Sequence, residues 1–129
     1  MKEAEKYGVP DERPLRTEER GLLEWLIAHG SPNAEKYASQ LPRVTVASRC
    51  TCGCPTIVLA VDGETTVGVS EIIADAEGYT PDAVRVGVIL HCRASKLSEL
   101  EVYAIDPIKR AFGLPHPDAL VAFSDMKPE

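Results

Sequence analysis

The sequence RCTCGCP at residues 49–55 decides how this chain is organised. Three of the protein's four cysteines, Cys50, Cys52 and Cys54, lie in it and alternate with Thr51 and Gly53. Glycine admits a positive φ, and proline interrupts the hydrogen bonding of a strand. We therefore expect a sharp bend here, between two neighbouring strands.

Strand-like sequence lies on both sides of this bend. Residues 44–48 alternate between two faces, and residues 56–61 (TIVLAV) are apolar on both faces, which is typical of a central strand. Asp62-Gly63 then predicts a hairpin, with a return segment over residues 65–76. Residues 84–90 alternate cleanly and place Cys92 on their apolar face, and residues 97–106 form the last clear strand.

Two helices are predicted before the first of these strands. Thr17 is a good N-cap, an apolar stripe at helical spacing follows it, and Gly30 suits a left-handed C-terminal position. A second, shorter helix is predicted to begin near Asn33 and to stop at Pro42. Joined by a short turn, the two helices should form a helical hairpin.

The predicted fold class is therefore α+β, with an N-terminal helical hairpin packed on a four- to five-stranded antiparallel sheet. Residues 1–14 are charged and contain two prolines, so we expect a flexible N-terminal tail. Residues 15–129 are expected to form one domain, because a chain of 129 residues suits a single core.

The cysteines predict a metal site. Cys50, Cys52, Cys54 and Cys92 supply four sulfurs, which is the number of ligands that a structural zinc takes, and His91 is an alternative to Cys92. Residues two apart on a regular strand are separated by roughly 6.6 Å, so this site requires the bend at Gly53. The spacing differs from the usual Cys-x-x-Cys of zinc motifs.

Two other interpretations of the cysteines stay open. In one of them, Cys52 and Cys54 form a reducible disulfide, and Arg49 favours the thiolate. This interpretation lacks the helix N-terminus that typical dithiol oxidoreductases use to lower the pKa of a thiol. The other interpretation is a tight turn in which the thiols pack as small apolar groups. The histidines His29, His91 and His116 have no carboxylate at a spacing that predicts a relay, and the acidic pairs are interpreted as solvated strand faces.

Composition excludes several classes of function. A formal net charge of −6 argues against a nucleic-acid binder and against adsorption to an anionic membrane. The first residues lack the apolar run of a secretory signal, and the chain lacks about 18 consecutive apolar residues, so we expect a cytoplasmic protein with reduced thiols. A protein partner, or a homodimer formed through a sheet edge or the N-terminal arm, is compatible with these features.

The chain resembles an uncharacterised group of short bacterial α+β proteins. The resemblance lies in residues 13–15 (RPL), 40–42 (QLP), 49–57 (RCTCGCPTI) and 97–103 (LSELEVY), and it spans most of the chain from Arg13 onward. It implies a bacterial origin and no assigned chemistry. We expect a small non-enzymatic binding or interaction module, by analogy comparable to toxin-neutralising immunity proteins, and the alternative is a zinc-binding or thiol-redox protein.

Overall fold

Seven strands form one antiparallel sheet in the computed structural model, which describes residues 9–108 and 110–122. Their spatial order along the sheet is β1-β2-β3-β6-β5-β4-β7. The strands are β1 (Val9–Pro14), β2 (Val44–Arg49), β3 (Ile57–Val61), β4 (Glu71–Tyr79), β5 (Arg85–Arg93), β6 (Lys96–Ala104) and β7 (Val121–Ala122). The predicted sheet of four or five strands is therefore too small, because both edge strands were missed.

The predicted helical hairpin is also wrong. The first helix, α1 (Thr17–His29), forms, although its N-cap is Arg16 and not the predicted Thr17. The segment Ala34–Arg43 is a 3₁₀ helix and contains Pro42. A 3₁₀ helix has poorer hydrogen-bond geometry than an α-helix and can follow the sheet surface in short turns. The fold is mainly a sheet, covered on one face by α1 and this 3₁₀ helix.

Strand β1 replaces part of the predicted flexible tail. Residues 9–14 pair antiparallel with β2, so that Val9 lies opposite Arg49 and Pro14 opposite Thr45. Prolines are tolerated in such an edge strand because one of its sides lacks a hydrogen-bonded neighbour. Residues 1–8 of the predicted tail lie outside the described residues.

The predicted return strand after Asp62-Gly63 does not form beside β3. The turn closes only a single bridge between Val61 and Glu64, and β4 begins at Glu71. The place beside β3 is taken by β6, where Ile57 lies opposite Leu100. Strands β4, β5 and β6 follow one another as hairpins, and with β3 they form a Greek key.

The core lies between the helices and one face of the sheet. It contains buried residues of α1 and of the 3₁₀ helix, such as Leu22, Leu26 and Tyr37, against inward-facing residues of the strands, such as Leu59 and Leu90. The predicted alternation of β5 is confirmed, since Val86, Val88, Leu90 and Cys92 are all fully buried. No helix in the described part of the chain is long and apolar enough to cross a membrane.

Gly30 ends α1 for a different reason from the one predicted. Its φ is −86°, so the residue is extended and not left-handed. A Cβ at this position would lie 2.6 Å from the carbonyl oxygen of Ile73 and 2.8 Å from that of Leu26. The absence of a side chain therefore lets the end of α1 approach β4 closely, and the amide of Ser31 donates to the same Ile73 oxygen at 3.0 Å.

A Gly30→Ala variant is expected to lose about 1–3 kcal/mol of stability, because backbone atoms crowd the added methyl group from two sides. Urea denaturation followed by circular dichroism measures this loss. Gly113→Ala is the matched control, since a Cβ there meets no atom within 4 Å. Equal stability of the two variants would contradict the close approach.

Candidate metal centre

The thiol loop is the turn at residues 50–55 that connects β2 to β3. The amide of Cys50 donates to the carbonyl oxygen of Thr56 at 3.2 Å and closes this loop at its base. The hydroxyl of Thr56, which is buried, donates to the carbonyl oxygen of Val102 at 3.1 Å and accepts from its amide at 2.9 Å. The loop is thereby fixed to β6 at the point where the pairing of β3 begins.

The three sulfurs of the loop converge. All lie within 4.8 Å of one another, and the sulfurs of Cys50 and Cys52 are 3.0 Å apart. The predicted bend at Gly53 is confirmed by its φ of +89°, which a side chain would strain. In a tetrahedral zinc site with Zn–S bonds of about 2.3 Å, the sulfurs lie roughly 3.8 Å apart. Small adjustments of side-chain torsions therefore bring three thiolates around one ion.

Backbone amides point at two of these sulfurs. The amide of Cys52 donates to the sulfur of Cys50 at 3.5 Å, and the amide of Cys54 donates to the sulfur of Cys52 at 3.4 Å. Hydrogen bonds of this kind orient the ligands of a metal and stabilise the negative charge of thiolates. The thiol loop therefore provides both the ligand sulfurs and the backbone amides that orient them.

The thiols differ in how easily they lose a proton. Hydrogen bonds from the thiols of Cys54 and Cys50 lower the pKa of Cys52, whose side chain is exposed. Burial, followed by the hydrogen bond with Cys52, raises the pKa of Cys50 to about 12. Cys52 therefore forms a thiolate more readily than Cys50 does.

Cys92 does not belong to this cluster. It pairs with Leu97 on β6, whereas the thiol loop is tied to Val102 on the same strand, and five residues of strand span roughly 16 Å. Its sulfur accepts a hydrogen bond from the hydroxyl of Tyr37 at 3.2 Å, in the core. The predicted site of Cys50, Cys52, Cys54 and Cys92 is therefore reduced to three sulfurs, and Cys92 is a packing residue.

His91 does not replace Cys92 as the fourth ligand either. It lies on the opposite face of the sheet, with its Nε2 2.8 Å from an oxygen of Glu101 and its Nδ1 2.8 Å from the hydroxyl of Ser70. No carboxylate lies at a sequence spacing that predicts a relay with His91, but the fold brings Glu101 beside it. His91, Glu99 and Glu101 form a second group of ligand atoms within 4.8 Å of one another.

The other two histidines lie outside both groups. The ring of His29 stacks on Trp25 at the end of α1, with ring centroids 4.1 Å apart. The ring of His116 accepts a hydrogen bond from the amide of Asp118 at 3.1 Å and caps the 3₁₀ turn Pro117–Ala119. Both histidines therefore have local structural roles.

A cleft of about 800 Å³ opens beside the thiol loop. Its lining includes Cys54, three arginines, three acidic residues and the apolar side chains of Phe112 and Leu114. Since Cys54 lines this cleft and Cys52 is exposed, the sulfur cluster is accessible to a small ligand from solution.

Comparisons of this chain with protein-family models, with curated proteins and with solved structures gave no significant match. The resemblance to short bacterial proteins therefore stays a prediction. Any statement about function must be argued from the residues themselves.

Sequence reasoning missed the group around His91. Glu99 and Glu101 were interpreted as a solvated strand face, but Glu99 is only 8% exposed. The sequence held one useful pattern, because His91, Glu99 and Glu101 all occupy the polar positions of alternating strands. The missing information was the register of the β5–β6 hairpin, which places His91 opposite Glu99.

Proposed function

We propose that this protein is a small non-enzymatic binding module that holds one zinc ion through Cys50, Cys52 and Cys54. The observation that supports it is the convergence of three free thiols within 4.8 Å in a loop whose amides donate to the sulfurs. Soft thiolate ligands favour zinc among the common divalent ions. The fourth ligand is water or a group that reaches the ion through the cleft.

A binding role is favoured over hydrolytic catalysis by the charge of the ligands. Three thiolates carry more negative charge than the two positive charges of zinc, so the ion polarises a bound water or carbonyl weakly. The ion would instead cross-link the thiol loop, which joins β2 to β3. Since metal binding adds free energy to the folded state only, it would also stabilise this end of the sheet.

The proposal is tested by native mass spectrometry of the full chain after incubation with zinc and dialysis. One zinc per chain is expected for the wild type. Cys52→Ser should weaken binding more than about 100-fold, since loss of an outer partner alone costs about 10–100-fold. Cys92→Ala is the control, because it removes a thiol outside the cluster and should retain the ion. A folded wild-type protein that takes up no zinc would end the proposal.

A thiol-redox function is the second candidate, and the 3.0 Å separation of the Cys50 and Cys52 sulfurs favours it. The Cys52 thiolate, whose pKa is lowered, would attack the disulfide of an oxidised partner such as oxidised glutathione and release one of its sulfurs as a thiol. Cys50 would then displace the other sulfur, which leaves a Cys50–Cys52 disulfide and two reduced thiols on the partner. Cys54→Ser separates the two functions, because it removes one of the three zinc ligands and leaves this pair intact. Reversible loss of two titratable thiols in Cys54→Ser, with no zinc bound by the wild type, would favour the redox function.

The partner that we propose for the module is a basic protein surface, by analogy with toxin-neutralising immunity proteins. The net charge of −6 supports this choice, because complementary charge accelerates association. Such a partner should bind less tightly as the salt concentration rises. A homodimer remains the alternative, and sedimentation at several protein concentrations distinguishes it.

A further inference from the structure

A group of polar side chains lies on the face of the sheet that α1 does not cover. His91 is paired with Glu99 across β5 and β6, and Ile89 is paired with Glu101 on the same face. Paired residues in an antiparallel sheet point to the same side, so the imidazole and both carboxylates meet there. One ligand atom of each lies within 4.8 Å of the other two.

Two carboxylate oxygens in this region are buried without a partner. Oε2 of Glu99 and Oδ1 of Asp75 accept no hydrogen bond from the described residues. Glu99 is more than nine-tenths buried, and Asp75 lies opposite Ile89 on the neighbouring strand β4. Buried carboxylate oxygens are costly unless a donor or a cation satisfies them. These two oxygens therefore require a donor or a cation that the described residues do not supply.

We propose that His91, Glu99 and Glu101 form a second metal site, independent of the thiols, for a divalent cation with the ligand preferences of Mn²⁺. Imidazole and carboxylate ligands suit ions of borderline to hard character, and no sulfur takes part. Asp75 is in register with the Ile89–Glu101 pair on the neighbouring strand β4, so its carboxylate lies on the same face of the sheet.

The surroundings of His91 fit a ligand of this kind. Its Nδ1 contacts the hydroxyl of Ser70 at 2.8 Å, which holds the ring so that Nε2 faces the carboxylates. An outer hydrogen bond of this type is the usual support of a metal-bound histidine. Nε2 and the Glu101 oxygen are 2.8 Å apart, close to the spacing of neighbouring ligands around an ion at about 2.1 Å.

A Ser–His–Glu relay is the competing interpretation of the same contacts. A relay uses one hydroxyl, one imidazole and one carboxylate, which here are Ser70, His91 and Glu101. It leaves the buried oxygens of Glu99 and Asp75 without a partner. A cation held by His91, Glu99 and Glu101 gives the buried oxygen of Glu99 a partner, and this is why the metal site accounts for more of the observations.

Electron paramagnetic resonance of free Mn²⁺, titrated into the full-length chain, tests the proposal. One Mn²⁺ should bind per wild-type chain, and Glu101→Gln should weaken binding by at least about tenfold. Cys52→Ser should bind Mn²⁺ like the wild type, so that failure of the zinc proposal and failure of this one are distinguishable. Glu35→Gln changes an exposed carboxylate elsewhere and serves as the control.

A second variant guards against loss of folding. Glu99→Gln removes one of several neighbouring negative charges, so the metal-free variant should melt at the wild-type temperature or above it. Mn²⁺ should raise the melting temperature of the wild type and leave that of Glu99→Gln unchanged. Absence of saturable Mn²⁺ binding by the wild type, or binding by Glu101→Gln and Glu99→Gln as tight as that of the wild type, overturns the site and indicates that ordered water satisfies these oxygens.

Discussion

An Arg13→Met variant is expected to lose about 2–4 kcal/mol of stability at pH 7, because it leaves the carboxylate of Glu19 buried without its cation. Arg13 forms two parallel hydrogen bonds with Glu19, at 2.8 and 2.9 Å. The side chain of Glu19 is only 5% exposed and that of Arg13 is 19% exposed. The pair connects the edge strand β1 to the first turn of α1.

The loss of stability in Arg13→Met should become smaller as the pH falls. Burial alone would raise the pKa of Glu19, but hydrogen bonds from Arg13 and from the amide of Arg16 outweigh it and lower this pKa below its ordinary value. The pair therefore stabilises the fold above the unfolded pKa of about 4.3, and this contribution is lost as the pH falls through the folded pKa. In the variant, protonation of Glu19 relieves the burial of its charge.

Urea denaturation of wild type and variant at pH 7 and at pH 4 measures both effects. The difference in the free energy of unfolding should be smaller at pH 4. Arg20→Met is the control, because its ion pair with Glu24 is exposed and should contribute less than about 1 kcal/mol. A loss of the same size at both pH values would show that the charge of Glu19 is not the cause.

A Thr56→Val variant is expected to lose about 2–4 kcal/mol, although the two side chains have nearly the same shape. The hydroxyl of Thr56 satisfies both the amide and the carbonyl of Val102, at a place where both residues are buried. Valine leaves these two backbone groups without a partner, and each buried orphan costs about 1–3 kcal/mol. Chemical denaturation followed by circular dichroism measures the loss.

Thr56→Ser is the matched control, because it keeps the hydroxyl and removes only a methyl group, at a cost of about 1 kcal/mol. The carbonyl oxygen of Thr56 accepts the amide of Cys50 and closes the thiol loop. Because only the valine variant loses the hydroxyl that holds residue 56 against β6, it should bind zinc less tightly than the serine variant. If valine and serine are equally stable at this position, the hydroxyl does not hold the thiol loop to β6.

The elements with strong local patterns could be predicted from the sequence. Helix α1 has a charged first turn and an apolar stripe, and the structure places it at Thr17–His29. Strands β2, β5 and β6 follow the alternation of their side chains, and β3 follows its continuous apolar run. Each of these signals depends on neighbours in the chain, and this is why single-sequence reasoning finds them.

The edge strands carried no such signal. Residues 9–14 (VPDERP) contain two prolines and three charged residues, which locally oppose a strand. They form β1 because β2 offers a free edge and Arg13 is held by Glu19. β7 has only two residues, Val121 and Ala122, which is too short for any periodicity. Contacts with distant residues decide both strands.

The candidate metal site could be predicted only in part, because it too depends on both local sequence and contacts between distant residues. The spacing of Cys50, Cys52 and Cys54 and the glycine between the last two are local, so the convergence of three sulfurs could be expected. The alternation of residues 84–90 predicted which face of the sheet carries Cys92, but not how far Cys92 lies from the thiol loop. That distance depends on the order of the strands, with β6 between β3 and β5, which no local pattern specifies.

The position of β6 beside β3 has a consequence for how the chain assembles. β3 (IVLAV) is almost wholly apolar, and the strand that covers its second edge lies about forty residues later in the sequence. During synthesis this edge stays uncovered until Lys96–Ala104 has emerged and the β4–β5–β6 hairpins have closed. The slowest and most aggregation-prone step of folding is therefore the docking of these hairpins onto β3.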